Sequence, residues 1–142
     1  MTTRFHHINI CSKQVPELES FYKEVLQLDT SDAYRNAQVK DQGYGGHVAF
    51  LTDGSTEMHL ATLDRNVAFQ TGQAINPLER GHIAFRTDDL EGIKRRLTER
   101  GVPFADYGAW AIKGWTQIFF HDPESTIVEV HQVGVGAVDS TT

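Results

Sequence analysis

The chain repeats itself, and that repeat limits its possible folds more than any other feature. Residues 4–12 alternate with the period of a strand, with Phe5, His7, Asn9 and Cys11 on one face and His6, Ile8 and Ile10 on the other. A helix should follow. Pro16 suits its first turn, and Leu18, Phe21, Tyr22, Val25 and Leu26 supply an apolar stripe. Strands are then expected near residues 33–40, 46–52 and 57–63, with Asp53-Gly54 as a tight turn. The same order recurs downstream. Residues 81–87 read as a strand, and Asp88 with Glu91 three residues later offers a capping box. Leu90, Ile93 and Leu97 form the buried stripe of the second helix, and Gly101 is placed to end it. Strands near 102–112, 115–121 and 126–133 complete the second copy, with Asp122-Pro123-Glu124 as a turn.

The expected fold is therefore α+β, with two tandem βαβββ modules in a single domain. Module 1 spans about 4–63, a linker with Gly72 and Pro77 spans 64–79, and module 2 spans about 80–133. The tail 134–142 is small and polar and is expected to fray. One module alone would leave a face of its sheet bare. Two can curl a mixed sheet around a half-open cavity, the natural place for a ligand.

Composition narrows the partners. A formal charge of -6 disfavours a nucleic-acid groove or a polybasic membrane patch. The single cysteine, Cys11, allows no internal disulfide and no thiolate cluster, which suits a reducing, cytoplasmic setting. It reads as a small buried hydrophobe. The N-terminal residues lack the apolar run of a signal peptide, and no stretch of about 18 apolar residues exists to span a bilayer.

The seven histidines carry the chemistry. His7 and His82 hold corresponding places in the first strands of the two modules, and His59 and Glu129 correspond in the last strands. The distance from His7 to His59 along the chain nearly matches that from His82 to Glu129. A twofold relation between modules would bring all four to one centre. Imidazole and carboxylate donors suit a single divalent ion, whether iron(II), nickel, zinc or manganese.

The segments "RFHHINICSKQVPELESFYKEVLQL", "HVAFLTDGSTEMHLA", "GHIAFRTDDLEGIKRRLTERGV" and "GWTQIFFHDPESTIVEVHQ" resemble the vicinal oxygen chelate superfamily. That group includes glyoxalase I, methylmalonyl-CoA epimerase, extradiol dioxygenases and bleomycin resistance proteins. The resemblance covers nearly the whole chain, and its second half is the more specific part. It implies a glyoxalase/dioxygenase-like fold with a metal held by His7, His82 and Glu129. The fourth position falls on His59, with Glu57 two residues earlier as either an outer hydrogen-bond partner or the ligand itself. It also implies a homodimer, since two-module relatives often pair.

Other residues have two readings each. His131 shares a face with Glu129 and would serve as acid, base or orienter. His47 is expected on a central strand of module 1, and its equivalent Gln117 makes a polar pair with it for substrate contact. Trp110, Trp115, Tyr107 and Phe119 either wall the cavity for a planar substrate or fill the core. His6 faces away from His7 and is assigned to packing or surface, and His121 to solvent. Arg95, Arg96 and Arg100 read as a solvated stripe, and the glycines around Tyr44 as a bend.

The resemblance implies a metal-dependent lyase or isomerase acting on a small oxygen-chelating substrate through a metal-stabilised enolate. Glu129 would take the proton, with Glu57 or His131 as a second acid or base. An iron(II) extradiol dioxygenase acting on a catechol is the alternative. A binding module without turnover comes third, because it predicts unmatched residues where His and Glu stand.

Overall fold

The computed structural model describes residues 2–134. Module 1 supplies β1 (Thr3–Ser12), α1 (Val15–Val25), β2 (Asp29–Thr30), β3 (Val48–Thr52) and β4 (Glu57–Thr62). The linker folds a short helix, α2 (Val67–Thr71). Module 2 supplies β5 (His82–Thr87), α3 (Leu90–Glu99), β6 (Phe104–Ala109), β7 (Trp115–His121) and β8 (Ile127–Val133). All eight strands form one mixed sheet in the order β2-β3-β4-β1-β5-β8-β7-β6. Each module pairs its first and last strands in parallel, and β1 joins β5 antiparallel at the seam. The fold is the expected α+β architecture.

Helices cover the outer face of each half. Val15 of α1 packs with Ala49, Leu51 and Leu60, joined by Leu18 and Tyr22. Leu90 of α3 packs with Ile118, Val128 and Val130, joined by Ile93 and Leu97. Each such buried aliphatic side chain contributes about 1.5–3 kcal/mol. The stripe expected on α1 is only partly buried, because Phe21, Val25 and Leu26 are more than half exposed. α1 sits on β3 and β4 through its other positions.

Two expectations need correction. The cap of α3 is Asp89, not Asp88. The Asp89 carboxylate accepts from the Gly92 amide at 3.1 Å, and Asp88 instead accepts from the Thr2 amide. Residues 33–40 do not add a regular strand beside β3. Apart from a single bridge between Gln38 and Ile112, they form turns and irregular backbone. This segment crosses to the other module. The Val39 amide donates to Ala111, the Lys113 amide to Ala37, and the Trp110 indole to the Gln42 carbonyl. Tyr34 and Ala37 pack there against Ile112 and Trp115. The crossing closes the curl of the sheet over its inner face. Of the tail, only Gly134 is described, and its amide donates to Gly114. The rest, 135–142, lies outside the described residues.

Candidate metal centre

The β1–β5 seam contains a bulge. Phe5 pairs with Phe85 and His7 with Ala84, so His6 is an extra residue on β1. Strict alternation would send His6 outward. The bulge turns it inward instead, and both His6 and His7 are buried. Their Nδ1 atoms lie 2.7 Å apart, and His6 Nε2 is 3.1 Å from the Tyr34 hydroxyl. The assignment of His6 to a face opposite His7 is therefore wrong.

His7, His82 and Glu129 come together, with one ligand atom from each within 4.8 Å of the others. Glu129 Oε1 is 3.7 Å from His7 Nε2 and 3.1 Å from His82 Nε2. Strand register explains the convergence. His59 pairs with Asn9, two residues beyond His7, and Glu129 pairs with Ala84, two residues beyond His82. His59 is thus the repeat equivalent of Glu129. It stacks on His7 at 3.8 Å between ring centroids but is not in the three-residue group, and its Nε2 lies 2.8 Å from Glu57 Oε1.

A cavity of about 60 Å³ adjoins these groups. His7, His59, His82 and Glu129 line it, as do Trp110, Trp115, Gln117 and Phe119. Glu57 and His131 do not line it; they stand behind His59 and Glu129. Tyr107 is not in the lining either. It belongs to the apolar core, with its hydroxyl donating to the Ile75 carbonyl. His47 is exposed, lies before β3, and borders a separate groove of about 530 Å³ that shares Gln38, Val48 and Phe50 with the inner cavity. Pairing also corrects its partner. Gln117 opposes His131, and the equivalent of His131 is Ala61, which opposes Val48. His121 is exposed, as expected.

The family model for the "Glyoxalase/Bleomycin resistance protein/Dioxygenase superfamily" matches residues 4–130. The chain belongs to that superfamily. Solved structures share its fold at low identity. A hypothetical protein from Bacillus halodurans C-125 is 21% identical, with a TM-score of 0.66, over 98% of this chain and 100% of that one. Methylmalonyl-CoA epimerase from Mycobacterium tuberculosis is 18% identical, with a TM-score of 0.66, over 92% of this chain and 88% of its own. A Streptomyces coelicolor methylmalonyl-CoA epimerase in complex with 2-nitronate-propionyl-CoA is 21% identical, with a TM-score of 0.62, covering 94% of this chain and 99% of its own. No curated protein matches the sequence.

The donor set of this superfamily member fits a divalent cation, as its own hydrogen bonds show. His82 Nδ1 lies 3.0 Å from the Pro77 carbonyl, which can only accept. That nitrogen therefore carries a proton, which leaves Nε2 as the atom that faces the Glu129 carboxylate. His82 Nε2 and Glu129 Oε1 lie 3.1 Å apart, close enough to serve as neighbouring ligand atoms of one cation. Arg86 Nε donates to His131 Nε2 at 3.0 Å, so the His131 proton sits on Nδ1 and is donated to Glu129 Oε2 at 2.7 Å. Outer partners of this kind orient ligands.

The charge states agree. Desolvation by burial pushes His7 well below its usual value, and it pushes His6 down to about 2, helped by His131 and Arg86. Burial also lowers His131, against the pull of Glu129. Burial alone would raise the Glu129 carboxyl, but His7 and the hydrogen bond from His131 hold it well below the carboxylate range. Neutral imidazoles beside an ionised carboxylate are the protonation states that a metal requires.

Proposed function

We propose that the protein is a divalent-metal-dependent enzyme that removes a proton next to a carbonyl in a small oxygen-chelating substrate, as an isomerase or lyase. The observation that carries this reading is the buried His7, His82 and Glu129 cluster, opening onto a small, largely apolar cavity. His7, His82 and Glu129 would hold the ion. The bound cation supplies a Lewis acid for the negative charge that gathers on oxygen as the adjacent C–H is deprotonated.

Proton removal falls to His59 backed by Glu57. The Glu57 carboxylate accepts from His59 Nε2–H, which leaves Nδ1 as the basic atom of a ring on the cavity wall. His131, wholly buried, orients Glu129. Trp115 Nε1 and Gln117 Oε1 are buried without a hydrogen-bond partner among the described residues, and they serve as donor and acceptor for substrate. The inner cavity is far smaller than the roughly 300–1,000 Å³ of a drug-sized site, so it admits only the reacting head. The rest of a longer substrate would lie in the outer groove beside His47, Lys40 and Arg35. A CoA thioester, as in the epimerase neighbours, is one substrate of that form.

Metal analysis followed by solvent-deuterium incorporation tests the reading. The substrates would be methylmalonyl-CoA, the methylglyoxal–glutathione hemithioacetal and small 2-oxo acids. His59→Gln and Glu57→Gln should slow exchange while metal content stays near that of the parent. A fall in metal content with His59→Gln would make His59 the fourth ligand, the place its register gives it. No exchange in any metal-loaded sample would refute the isomerase reading.

The dioxygenase reading gains from one observation. Two histidines and one carboxylate, with His59 outside the group, leave positions open for a catecholate and for oxygen. Oxygen uptake by anaerobically iron-loaded protein on adding catechols would establish it. A binder without metal is the weakest reading, because it gives no reason for the matched donors. The homodimer belongs to this proposal as well. Phe5, Ile8, Phe21, Val25 and Leu26 are exposed apolar side chains suited to a contact surface, and sedimentation velocity checks it.

A further inference from the structure

We propose that Tyr34 and His6 form a hydrogen-bonded relay behind His7 that selects which ring nitrogen of His7 carries the proton, and so whether Nε2 offers its lone pair to the ion. This rests on the metal reading above and adds positioning residues to it. The β1 bulge places His6 beside His7, with their rings edge to face at 5.0 Å and Nδ1 atoms 2.7 Å apart. His6 Nε2 reaches the Tyr34 hydroxyl at 3.1 Å. All three residues are at most 4% exposed, so water does not substitute for either contact.

Only one proton fits between two nitrogens at that separation, which leaves two directions for the chain. In one, His7 Nδ1–H donates to His6 Nδ1, and His6 Nε2–H donates to the Tyr34 oxygen. His7 Nε2 then carries its lone pair towards Glu129 and the ion position. In the other, Tyr34 donates to His6 Nε2, His6 Nδ1–H donates to His7 Nδ1, and the His7 proton moves to Nε2. That proton would occupy the ligand position, and at 3.7 Å from Glu129 Oε1 it lacks a good acceptor. The first direction is therefore the metal-binding one, and Tyr34 holds it by accepting. His82 needs no such relay, since the Pro77 carbonyl fixes its tautomer alone. His7 reaches through a second histidine for what His82 draws from the linker backbone at Pro77.

The test is zinc or nickel affinity of the full chain, measured by competition with a chromophoric chelator. His6→Leu removes the acceptor and should weaken binding about 10–100-fold. His6→Asn places an amide oxygen near the Nδ1 position and should recover most of that loss. Tyr34→Phe, nearly isosteric, should cost several-fold. Nitrogen NMR of the zinc-loaded parent should show the His7 proton on Nδ1. Melting curves of the metal-free variants separate folding losses from affinity losses. An affinity within twofold of the parent for both His6→Leu and Tyr34→Phe overturns the relay alone, as does an Asn variant no better than Leu. A parent that binds neither ion overturns the relay and the metal reading together.

Discussion

At the scale of single residues, Glu129 concentrates the consequences. It faces two imidazoles through Oε1 and takes a hydrogen bond from His131 through Oε2. Glu129→Gln keeps the shape but removes the negative charge that would offset the charge of an ion buried between two imidazoles. It should weaken metal binding by more than the roughly 10–100-fold that loss of an outer partner brings. Equilibrium dialysis with zinc would check this, and retention of parental affinity would remove Glu129 from the ligand set. Cys11 makes the opposite case, a reactive residue type in an inert setting. Burial pushes its thiol up to about 12, and the sulfur packs beside the inner core with Asn9 Oδ1 3.4 Å away. Almost no thiolate exists at pH 8, so native protein should react far more slowly with a disulfide reagent than unfolded protein does. Equal rates would contradict that placement.

At the scale of elements, β5 depends on the residue before it. Gly81 has φ +110, and a Cβ there would run into the Asn9 carbonyl across the seam. Gly81→Ala should cost on the order of 1–3 kcal/mol or more, seen as a lower melting temperature, and it should displace His82 and weaken metal binding. Asp89→Ala should cost about 0.5–2 kcal/mol through loss of the α3 cap, with metal affinity unchanged. Most elements were legible because their signals are local. β7 and β8 flank the Asp122-Pro123-Glu124 turn, α3 has its stripe, and the duplicated order pointed to His7, His59, His82 and Glu129, of which the resemblance implied His7, His82 and Glu129 as the ligand set. What failed was non-local. His6 obeys strand parity until the bulge, which is set by pairing between β1 and β5 and leaves no mark in the alternation. Residues 33–40 have strand-like composition, but their partners are residues 111–113 of the other module. His47 looked like the counterpart of Gln117 because counting along the chain misses a one-residue offset that only the ladders of β3 and β7 reveal.

At the scale of the whole molecule, burying so many histidines ties stability to pH. His6, His7 and His131 are all held neutral by burial, with values below the 6.5 of an exposed imidazole. As pH falls through about 6.5, the unfolded chain takes up protons that the folded chain refuses. Their stabilising contribution is thus complete above that value and lost progressively below it, at up to about 1.4 kcal/mol per pH unit for each such group. Glu129 acts in the same direction at lower pH, since its depressed value stabilises the fold above the normal carboxylate range and is lost on protonation. The melting temperature of metal-free protein should therefore fall between pH 7 and pH 5, and calorimetry that found it flat would refute the buried-neutral assignment. Bound metal should raise the curve, by an amount that itself shrinks in acid because protons compete for the ligands. The transition should also be single. Segment 33–42 of module 1 is bonded to residues 109–113 of module 2, and Tyr44 and Ala61 share one apolar cluster with Trp110 and Phe119. Neither half can melt without opening the inner face of the other, so two resolved transitions would mean that the modules are joined only at the seam.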